Sequence, residues 1–447
     1  MTCVLNPKLG VFFVVVLPQF TPAGAAVGPD VVGAGDVARR GSSPVVPPPG
    51  RRCGRAAPEP CWRDVRFGSG STASPPQFSS ASGCASPPTP RLGSPSCPVS
   101  VRLVGEWVPW GVAMERALVG PEGFYLGEAV PATNFRTSVT AAPELVASAI
   151  TVLFEDVQAA LGAGRADPEP GPAMDLVDLG AGGGELLAVL ADTLPEQVRL
   201  HGVDVARRPP GLAARVRWSA TIPEERIVGL LLAYEYLDNV PVDVAEIGPD
   251  GVPRLVLVDP ATGEERLGGS LEPGDAAWLG RWWSLDGAPS GTRAEIGRAR
   301  DVAWSTAVSR VGCGVVLAVD YDHGLARRPA SGTLAGYRRG RMVPAVPDGS
   351  CDVTAHVALD ACAEAGVSAG ARATALVRQA DALAALGVAA DRPDVGMARE
   401  DPLGYLRALD AAGTAAELLD RSGLGGFGWL VQSVGGIGLP ERFARTG

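Results

Sequence analysis

Histidine is scarce in this chain, and closely paired cysteines are absent. Its 447 residues contain three histidines, His201, His323 and His356, at spacings that fit no metal motif, and none of its eight cysteines form a Cys-x-x-Cys pair. Structural zinc sites are built from such closely spaced ligands. The sequence therefore predicts no bound metal. Only three of the cysteines follow residue 105, which is typical of a reduced, cytoplasmic protein.

Long hydrophobic runs are also missing. The run VFFVVVL at 11–17 resembles the apolar part of a short secretory signal. It is at the low end of the length of such signals, and it falls far short of the roughly 20 residues that cross a bilayer. We therefore expect neither export nor a membrane span, and we expect the protein to be cytoplasmic.

The two parts of the chain differ in composition. Residues 1–105 are rich in Pro, Ser, Gly and Arg and carry ten basic against four acidic residues, whereas the remainder carries 29 against 45. A segment with so few apolar residues in any rhythm cannot build a core. We predict a disordered tail at 1–105 and one folded domain at 106–447. Whether the tail tethers, regulates or merely precedes the true start stays open.

The folded part is strongly acidic. Such a surface repels phosphate backbones at long range and attracts basic segments of a partner. Nucleic acid is therefore not expected as a partner, whereas a protein is.

Strand-like apolar runs alternate with helical and loop segments after residue 140. An amphipathic pattern at 142–161 predicts a helix. The strand-like runs are Met174–Leu179, Val198–Asp204, Ala214–Trp218, Arg226–Ala233 and Gly314–Asp320. This alternation predicts an α/β fold of the Rossmann-like, doubly wound type with a mainly parallel sheet.

Further elements are predicted around and after the last of these runs. VDVAEI and PRLVLV flank the turn GPDGV, which indicates a β-hairpin inserted into the sheet order. Helices are expected at 292–311, 354–365 and 405–419, so that additional helices follow the sheet at the C-terminal end of the chain.

A glycine-rich loop follows the first strand, in the segment DLVDLGAGGGELLAVL. Gly180, Gly182 and Gly184 provide the tight turn and the close backbone approach that a nucleotide-type ligand needs. A dinucleotide fingerprint would need glycine where Glu185 stands, and a carboxylate there fits poorly beside a pyrophosphate. This disfavours an NAD-dependent oxidoreductase. A P-loop is excluded because no Gly-Lys-Ser/Thr follows.

The acidic residues near this loop point to a cationic ligand. Asp178 stands just before the first glycine, where it suits the ammonium and sulfonium groups of S-adenosylmethionine (SAM). Asp204 ends the next strand, where a carboxylate can accept both ribose hydroxyls of an adenosine. The sequence therefore predicts SAM as the cofactor.

A second pair of carboxylates follows the fourth strand. Glu235 and Asp238 lie three residues apart in YEYLDNVPVDVAEI, at the carboxyl edge of the sheet, where open α/β sheets bind ligands. If the segment begins a helix, both side chains share one face and point into one cleft. These two residues are the predicted catalytic groups, because methyl transfer from a sulfonium needs side chains that align a nucleophile and remove or disperse its proton.

With these motifs in place, the sequence resembles the MidA-like SAM-dependent methyltransferases. The segments that carry the resemblance are WGVAMERALVGPEGFYL, NFRTSVTAAPEL, LVDLGAGGGELL, YEYLDNVPVDVAEI, VVLAVDYDHG and SGTLAGYRRGRMVPAVPDGSCDVTAHVALDAC. The last of them, with TLAGYR and DVTAHV, is the most specific. The resemblance extends over about residues 110–435.

The resemblance implies a methyltransferase fold with added helices. It implies that Asp178 and the glycines Gly180, Gly182 and Gly184 bind the methyl donor, that Asp204 holds its ribose, and that residues 235–241 line the methyl-transfer cleft. The family includes a mitochondrial complex I assembly factor that dimethylates an arginine. By resemblance, a protein side chain is the expected acceptor, with arginine favoured.

Two departures from the family pattern leave alternatives open. The chain has Tyr234 where the family has asparagine, and Thr133, Asn134 and Phe135 where the family has Gly-Asp-Phe. A SAM-binding assembly factor or chaperone with weak turnover therefore stays possible, as does a methyltransferase that acts on a small molecule.

Overall fold

The computed structural model describes residues 105–126, 137–163 and 173–444. All of them belong to the compact unit from Pro95 to Gly447. The predicted tail lies outside the described residues except for Gly105, and so do Thr133, Asn134 and Phe135. The prediction of a disordered tail therefore stays a prediction.

The described chain contains strands β1 to β15 and helices α1 to α11. The strands are β1 (Val108–Pro109), β2 (Asp175–Leu179), β3 (Arg199–Val203), β4 (Val216–Ser219), β5 (Ile227–Tyr234), β6 (Asp243–Ile247), β7 (Pro253–Val258), β8 (Glu265–Ser270), β9 (Arg293–Ile296), β10 (Val311–Asp320), β11 (Ala335–Arg338), β12 (Arg341–Val343), β13 (Asp352–Thr354), β14 (Ala371–Arg378) and β15 (Gly428–Val434). The helices are α1 (Trp110–Val119), α2 (Ser138–Ala141), α3 (Pro143–Gly162), α4 (Glu185–Thr193), α5 (Pro273–Trp282), α6 (Arg298–Arg310), α7 (Leu359–Ser368), α8 (Gln379–Ala385), α9 (Met397–Glu400), α10 (Pro402–Leu419) and α11 (Glu441–Ala444).

A seven-stranded sheet forms the centre of the fold, in the order β14-β15-β10-β5-β2-β3-β4. The strands from β10 to β4 in this order are parallel, and β15 runs antiparallel between β10 and β14. Side chains alternate between the faces, so Leu230 and Leu232 of β5 enter one core and Leu231 and Ala233 enter the other.

Helices cover both faces of this sheet. The first core contains residues of α3, α4, α8, α10 and α11. The second core contains residues of α6 and α7, including the fully buried Trp304. The predicted α/β, doubly wound fold with a mainly parallel sheet and C-terminal helices is therefore confirmed. The five predicted strands of the sheet correspond to β2, β3, β4, β5 and β10.

The predicted hairpin exists as β6 and β7, but its expected position is wrong. It belongs to a separate antiparallel sheet in the order β1-β7-β6-β9, with β8 also paired to β7. β6 pairs antiparallel with β9, and β7 with β8, so both outer edges of the hairpin are already occupied by antiparallel partners. No ladder is left with which it could join the parallel sheet.

Two predicted helices begin later than expected. The range 292–311 starts with strand β9, and only after Gly297 does α6 begin, at Arg298. The range 354–365 starts with the end of β13, which pairs with β11 in a three-stranded sheet, and α7 begins at Leu359. In both places the alternation of a short strand was mistaken for part of a helical period. His356 consequently lies in the loop before α7.

Among the described residues, helix α3 is long and apolar enough to cross a membrane by length and composition alone. The expectation that no stretch meets this criterion is therefore wrong. In the structure, Val146, Ile150, Leu153 and Phe154 of this helix are buried in the core beneath the central sheet. A mostly apolar helix is what such a position requires.

The contact between β5 and β10 generates the first prediction. Gly229 and Gly314 are paired, with φ of +141° and +153°, and a Cβ on Gly314 would lie 1.9 Å from the carbonyl oxygen of Gly229. We expect Gly314→Ala to lower the free energy of unfolding by at least about 3 kcal/mol in urea titration, because steric overlap and backbone strain add.

The matched control is Gly269→Ala on strand β8. A Cβ there meets nothing within 4 Å, and Gly269 has no positive φ. The free energy of unfolding of Gly269→Ala should stay within about 0.5 kcal/mol of that of the wild type. Equal effects of the two substitutions would contradict the close approach of β5 and β10.

Candidate functional site

A cleft of about 290 Å³ opens at the carboxyl ends of β2, β3 and β5. One wall is the glycine loop after β2, a second is the start of α2, and a third is the segment from Tyr234 to Pro241 that follows β5. This is the edge where open α/β sheets bind ligands. The position of the cleft follows from the parallel order of the three strands.

The glycine loop adopts a backbone that only glycine adopts without strain. Gly180, Gly182 and Gly184 have φ of +78°, +53° and +73°. A Cβ on Gly180 would lie 2.8 Å from the ring of Tyr236, so the loop also passes close to the opposite wall. Gly180 and Gly182 line the cleft. Gly184 lies behind the loop and begins helix α4.

Asp204 supports the glycine loop from the neighbouring strand. Its Oδ2 accepts a hydrogen bond from the amide of Gly182 at 2.9 Å, and its Oδ1 accepts one from the amide of Ala206 at 2.7 Å. Because these two amides fix the carboxylate at the cleft wall, Asp204 is oriented before any ligand arrives.

Asp178 is almost fully buried at the base of the cleft. Its carboxylate makes no hydrogen bond with any other residue of the described chain. Burial, together with the charges of Asp204 and Glu185, raises its pKa to about 7. A cation in the cleft would relieve both the burial and the repulsion.

Glu235 combines an unusual backbone with a cleft-lining carboxylate. Its φ is +50°, a left-handed conformation that non-glycine residues rarely adopt. Its amide donates to the carbonyl of Val319 at 2.7 Å, and its Oε1 accepts from the amide of Ser138 at 2.7 Å. Burial raises the pKa of Glu235 to about 8.

The structure does not bring Asp238 into the cleft beside Glu235. Asp238 lies in a 3₁₀ turn at Leu237–Asn239 and is 5% exposed. Its Oδ2 accepts from the hydroxyl of Thr354 at 2.9 Å, and its Oδ1 is buried with no hydrogen-bond partner in the part of the chain that the structure describes. The left-handed residue Glu235 followed by a 3₁₀ turn does not place the two side chains as a regular helix would.

A buried arginine holds the segment that follows β5. Arg300 of α6 is 2% exposed, and its guanidinium donates to three carbonyl oxygens. The acceptors are Asp238 at 2.6 Å, Val240 at 3.1 Å and His356 at 2.7 Å. The cleft wall and the loop before α7 are thereby joined to one side chain.

A polar group stands at the other end of the cleft, and of its members the sequence predicted only Asn239, within the range 235–241. Tyr125 and Asn239 line it, and both contact the buried Asp352. The hydroxyl of Tyr125 lies 2.9 Å from Asn239 Oδ1 and 3.0 Å from Asp352 Oδ1, and Asn239 Nδ2 donates to the same Asp352 oxygen at 3.0 Å. Burial, then the charge of Asp238, raises the pKa of Asp352 to about 7. Both cleft residues stand in segments that carry the family resemblance, which was the available signal.

Tyr234 lines the cleft but directs its hydroxyl into the core. The hydroxyl donates to Gln379 Oε1 at 2.6 Å, and Gln379 Nε2 donates to Ser138 Oγ at 2.9 Å. Gln379 also accepts from the indole of Trp429 at 3.0 Å. This fully buried network sets the distance between α2 and the end of β5, and so the width of the cleft.

The cleft is lined by four carboxylates and, within the described part of the chain, by no basic side chain. The carboxylates are Asp178, Glu185, Asp204 and Glu235. In the same part of the chain, no group of three His, Cys, Asp or Glu side chains could hold a metal ion. A ligand that carries positive charge therefore complements this cleft.

The residues present fit S-adenosylmethionine. The left-handed glycines leave room for close backbone approach, Asp204 is fixed at the wall, and Asp178 is a buried carboxylate without a hydrogen-bond partner among the described residues. Asp204 therefore matches the ribose of the ligand, and Asp178 matches its cationic amino-acid portion.

Comparisons with known proteins agree with this fit. A family model described as "Putative S-adenosyl-L-methionine-dependent methyltransferase" matches residues 157–377. A crystal structure of a "likely methyl transferase" from Burkholderia thailandensis bound to S-adenosyl-homocysteine has a TM-score of 0.61 and 28% identity, over 76% of this chain and 92% of that chain. A native structure of an uncharacterized protein of the same superfamily and organism has a TM-score of 0.60 and 29% identity, over 76% and 91%. No curated protein matches the chain.

The fold, the cleft and these matches define a Rossmann-like, SAM-dependent methyltransferase with S-adenosylmethionine as its cofactor. The chain is similar to the MidA-like family of these enzymes. The predicted family resemblance, enzyme class and cofactor are confirmed.

The raised pKa of Glu235 predicts a pH-dependent stability. Its folded-state pKa of about 8 exceeds the ordinary value of 4.5, so folded Glu235 keeps a proton that the unfolded chain releases between these values. The stability is full below about pH 4.5 and falls as the pH rises to about 8. In Glu235→Gln, we expect the loss between about pH 5 and pH 8 to be smaller by about 2 to 4 kcal/mol.

The measurement is urea unfolding at both pH values, with Glu155→Gln on the exposed face of α3 as the control. The control should follow the wild type. An unchanged pH dependence in Glu235→Gln would show that the Glu235 carboxyl is solvated.

Proposed function

We propose that the enzyme methylates a protein side chain, with arginine as the favoured acceptor. The observation that carries this proposal is the Glu235 carboxylate, which lines an acidic cleft and is fixed by the amide of Ser138. A guanidinium brings a positive charge and several donors to such a group. The acidic charge of the chain after residue 105 favours a basic segment of a protein over nucleic acid.

In this proposal, the two ends of the cleft have different roles. Asp178 and the loop from Gly180 to Gly184 bind the methyl donor, with Gly184 setting the start of α4 behind the loop. Asp204 accepts the ribose hydroxyls. The acceptor enters beside Tyr125 and Asn239, at the polar end of the cleft.

Methyl transfer from a sulfonium is an in-line displacement, and bound SAM supplies the electrophilic methyl group. The protein has to align the nucleophile and accept its proton. Glu235 performs both tasks, because its carboxyl is at the cleft wall and, once a cationic ligand has ionised it, its raised pKa makes the carboxylate a strong proton acceptor. Asp238 contributes from beneath, by fixing the turn through Thr354.

A second candidate is a SAM-binding assembly factor with weak turnover. For either candidate we propose a cytoplasmic location. The observation that favours the assembly factor is Tyr234, whose hydroxyl is engaged by Gln379 where the family pattern has an asparagine. The two candidates share the cofactor site and differ in methyl transfer.

The cofactor roles predict a loss of SAM affinity in Asp204→Asn. Replacement of one charged acceptor oxygen should weaken binding by about ten- to a hundredfold in calorimetric titration. Asp192→Asn, an exposed position on α4, is the matched control. NAD should not bind to any of the three proteins. Wild-type affinity in Asp204→Asn would remove Asp204 from the cofactor site.

The catalytic role predicts that Glu235→Gln binds SAM within about twofold of the wild type but loses at least about a hundredfold in methyl transfer. The measurement starts from cells that lack the gene and are complemented with either the wild type or Glu235→Gln. The methylarginine sites in the proteomes of the two complemented lines are then compared. If wild-type and variant cells carry the same methylarginine sites, the arginine proposal fails. If the purified wild type binds SAM and changes no methylation site, the assembly factor is favoured.

A further inference from the structure

A second cavity of about 290 Å³ has a basic lining, in contrast to the acidic cleft. It is lined by Asp322, Arg327, Arg378, Arg421 and Gly426. The three arginines come from the 3₁₀ turn after β10, the end of β14 and the loop after α10. Their convergence is unusual in a chain with 29 basic and 45 acidic residues after residue 105. We call this cavity the arginine pocket.

The arginine pocket holds more positive charge than its own carboxylates neutralise. Arg378 is ion-paired with Asp322 and donates to the carbonyl of Gly426 at 3.0 Å. Arg421 is paired with Asp381. The exposed side chain of Arg327 makes no ion pair or hydrogen bond with the rest of the described chain. One fixed and one unpaired guanidinium can therefore receive an anion together.

The pocket lies on the same edge of the central sheet as the cleft. Glu235 follows β5, Asp322 follows β10, Gly426 precedes β15, and Arg378 ends β14, which are neighbouring strands in this order. Strands are about 4.8 Å apart. The pocket is therefore about 10 to 14 Å from Glu235, two to three strand spacings away.

Aromatic side chains connect the two sites. The ring of Tyr321 stacks on that of His356 at 5.6 Å and packs against Phe427 at 4.1 Å. Tyr321 directly precedes Asp322, and Phe427 directly follows Gly426. The half-buried tyrosine and the exposed histidine form an aromatic pair at the end of β10, the strand that lies between β5 and β15.

We propose that the arginine pocket binds an acidic side chain of the acceptor polypeptide while the residue to be methylated occupies the cleft. This inference rests on the proposed function, because it names the sequence context of its acceptor. An extended peptide rises about 3.3 Å per residue. The 10 to 14 Å path over Tyr321 therefore corresponds to about three or four residues between the methylated position and the acidic one.

The first experiment measures binding without an identified acceptor. Fluorescein-labelled hexaglutamate is titrated with the full chain and followed by anisotropy, with hexaglutamine as the uncharged probe. We expect hexaglutamate to bind and hexaglutamine not to bind. Arg327→Glu should weaken hexaglutamate binding at least about tenfold, because it reverses the charge of the unpaired guanidinium.

The matched control is Arg372→Glu, an exposed residue at the other end of β14 from Arg378. It makes the same charge change as Arg327→Glu, on the strand that carries the pocket residue Arg378. It should leave hexaglutamate affinity within about twofold of the wild type. Equal weakening by the two variants, or no binding of hexaglutamate, would overturn the proposal. Oligothymidylate binding more tightly than hexaglutamate at Arg327 would assign the pocket to nucleic acid instead.

The second experiment locates the acidic residue. Arginine-centred peptides with one aspartate at successive positions are tested for methyl transfer from labelled SAM. We expect the lowest KM with aspartate about three or four residues from the arginine, and we expect Arg327→Glu to raise that KM while kcat stays the same. A KM that ignores the aspartate position would overturn the docking proposal alone. Hexaglutamate binding at Arg327 without transfer to any peptide would contradict the arginine acceptor and leave the pocket assigned.

Discussion

The cleft depends on one buried guanidinium. Arg300 donates to the carbonyl oxygens of Asp238, Val240 and His356, and these carbonyls belong to two loops outside the fifteen strands. Backbone carbonyls buried at such a junction need donors, and a planar side chain with five N–H groups can supply several at once. Burial of this charge is compensated by Asp238, Asp320 and Glu295 nearby. The shape of the cleft wall that follows β5 therefore depends on Arg300, which does not itself line the cleft.

Because several carboxyl groups of the site are buried, they are only partly ionised at neutral pH. Asp178, Glu235 and Asp352 all have pKa values raised to about 7 or 8, first of all because they are buried. At neutral pH, an arriving cation can therefore increase their ionisation. The negative charge of the carboxylates therefore increases when a cationic ligand binds, and before binding the repulsion between these groups is small.

The sequence was sufficient for elements defined by local pattern. The five parallel strands follow from short apolar runs, and the glycine loop and Asp204 follow from the residues at the ends of two of them. The position of Asp238 could not be predicted, because it depends on the left-handed backbone of Glu235, which in turn is held by Val319 and Ser138. The separate antiparallel sheet was missed for a similar reason. Hairpin chemistry specifies the turn of β6 and β7, but two of their other partners, β9 and β1, are distant in sequence.

The insertion between β5 and β10 also bears on how the protein folds. Two adjacent parallel strands of the central sheet are separated by the chain from 235 to 310, which includes most of the antiparallel sheet. Closing so long a loop is entropically unfavourable until its own contacts form. The β6–β7 hairpin and its neighbours are local contacts, so they shorten the effective loop before β10 meets β5. The antiparallel sheet thus lowers the entropic cost of pairing β5 with β10, so its stability contributes to that of the central sheet beside it.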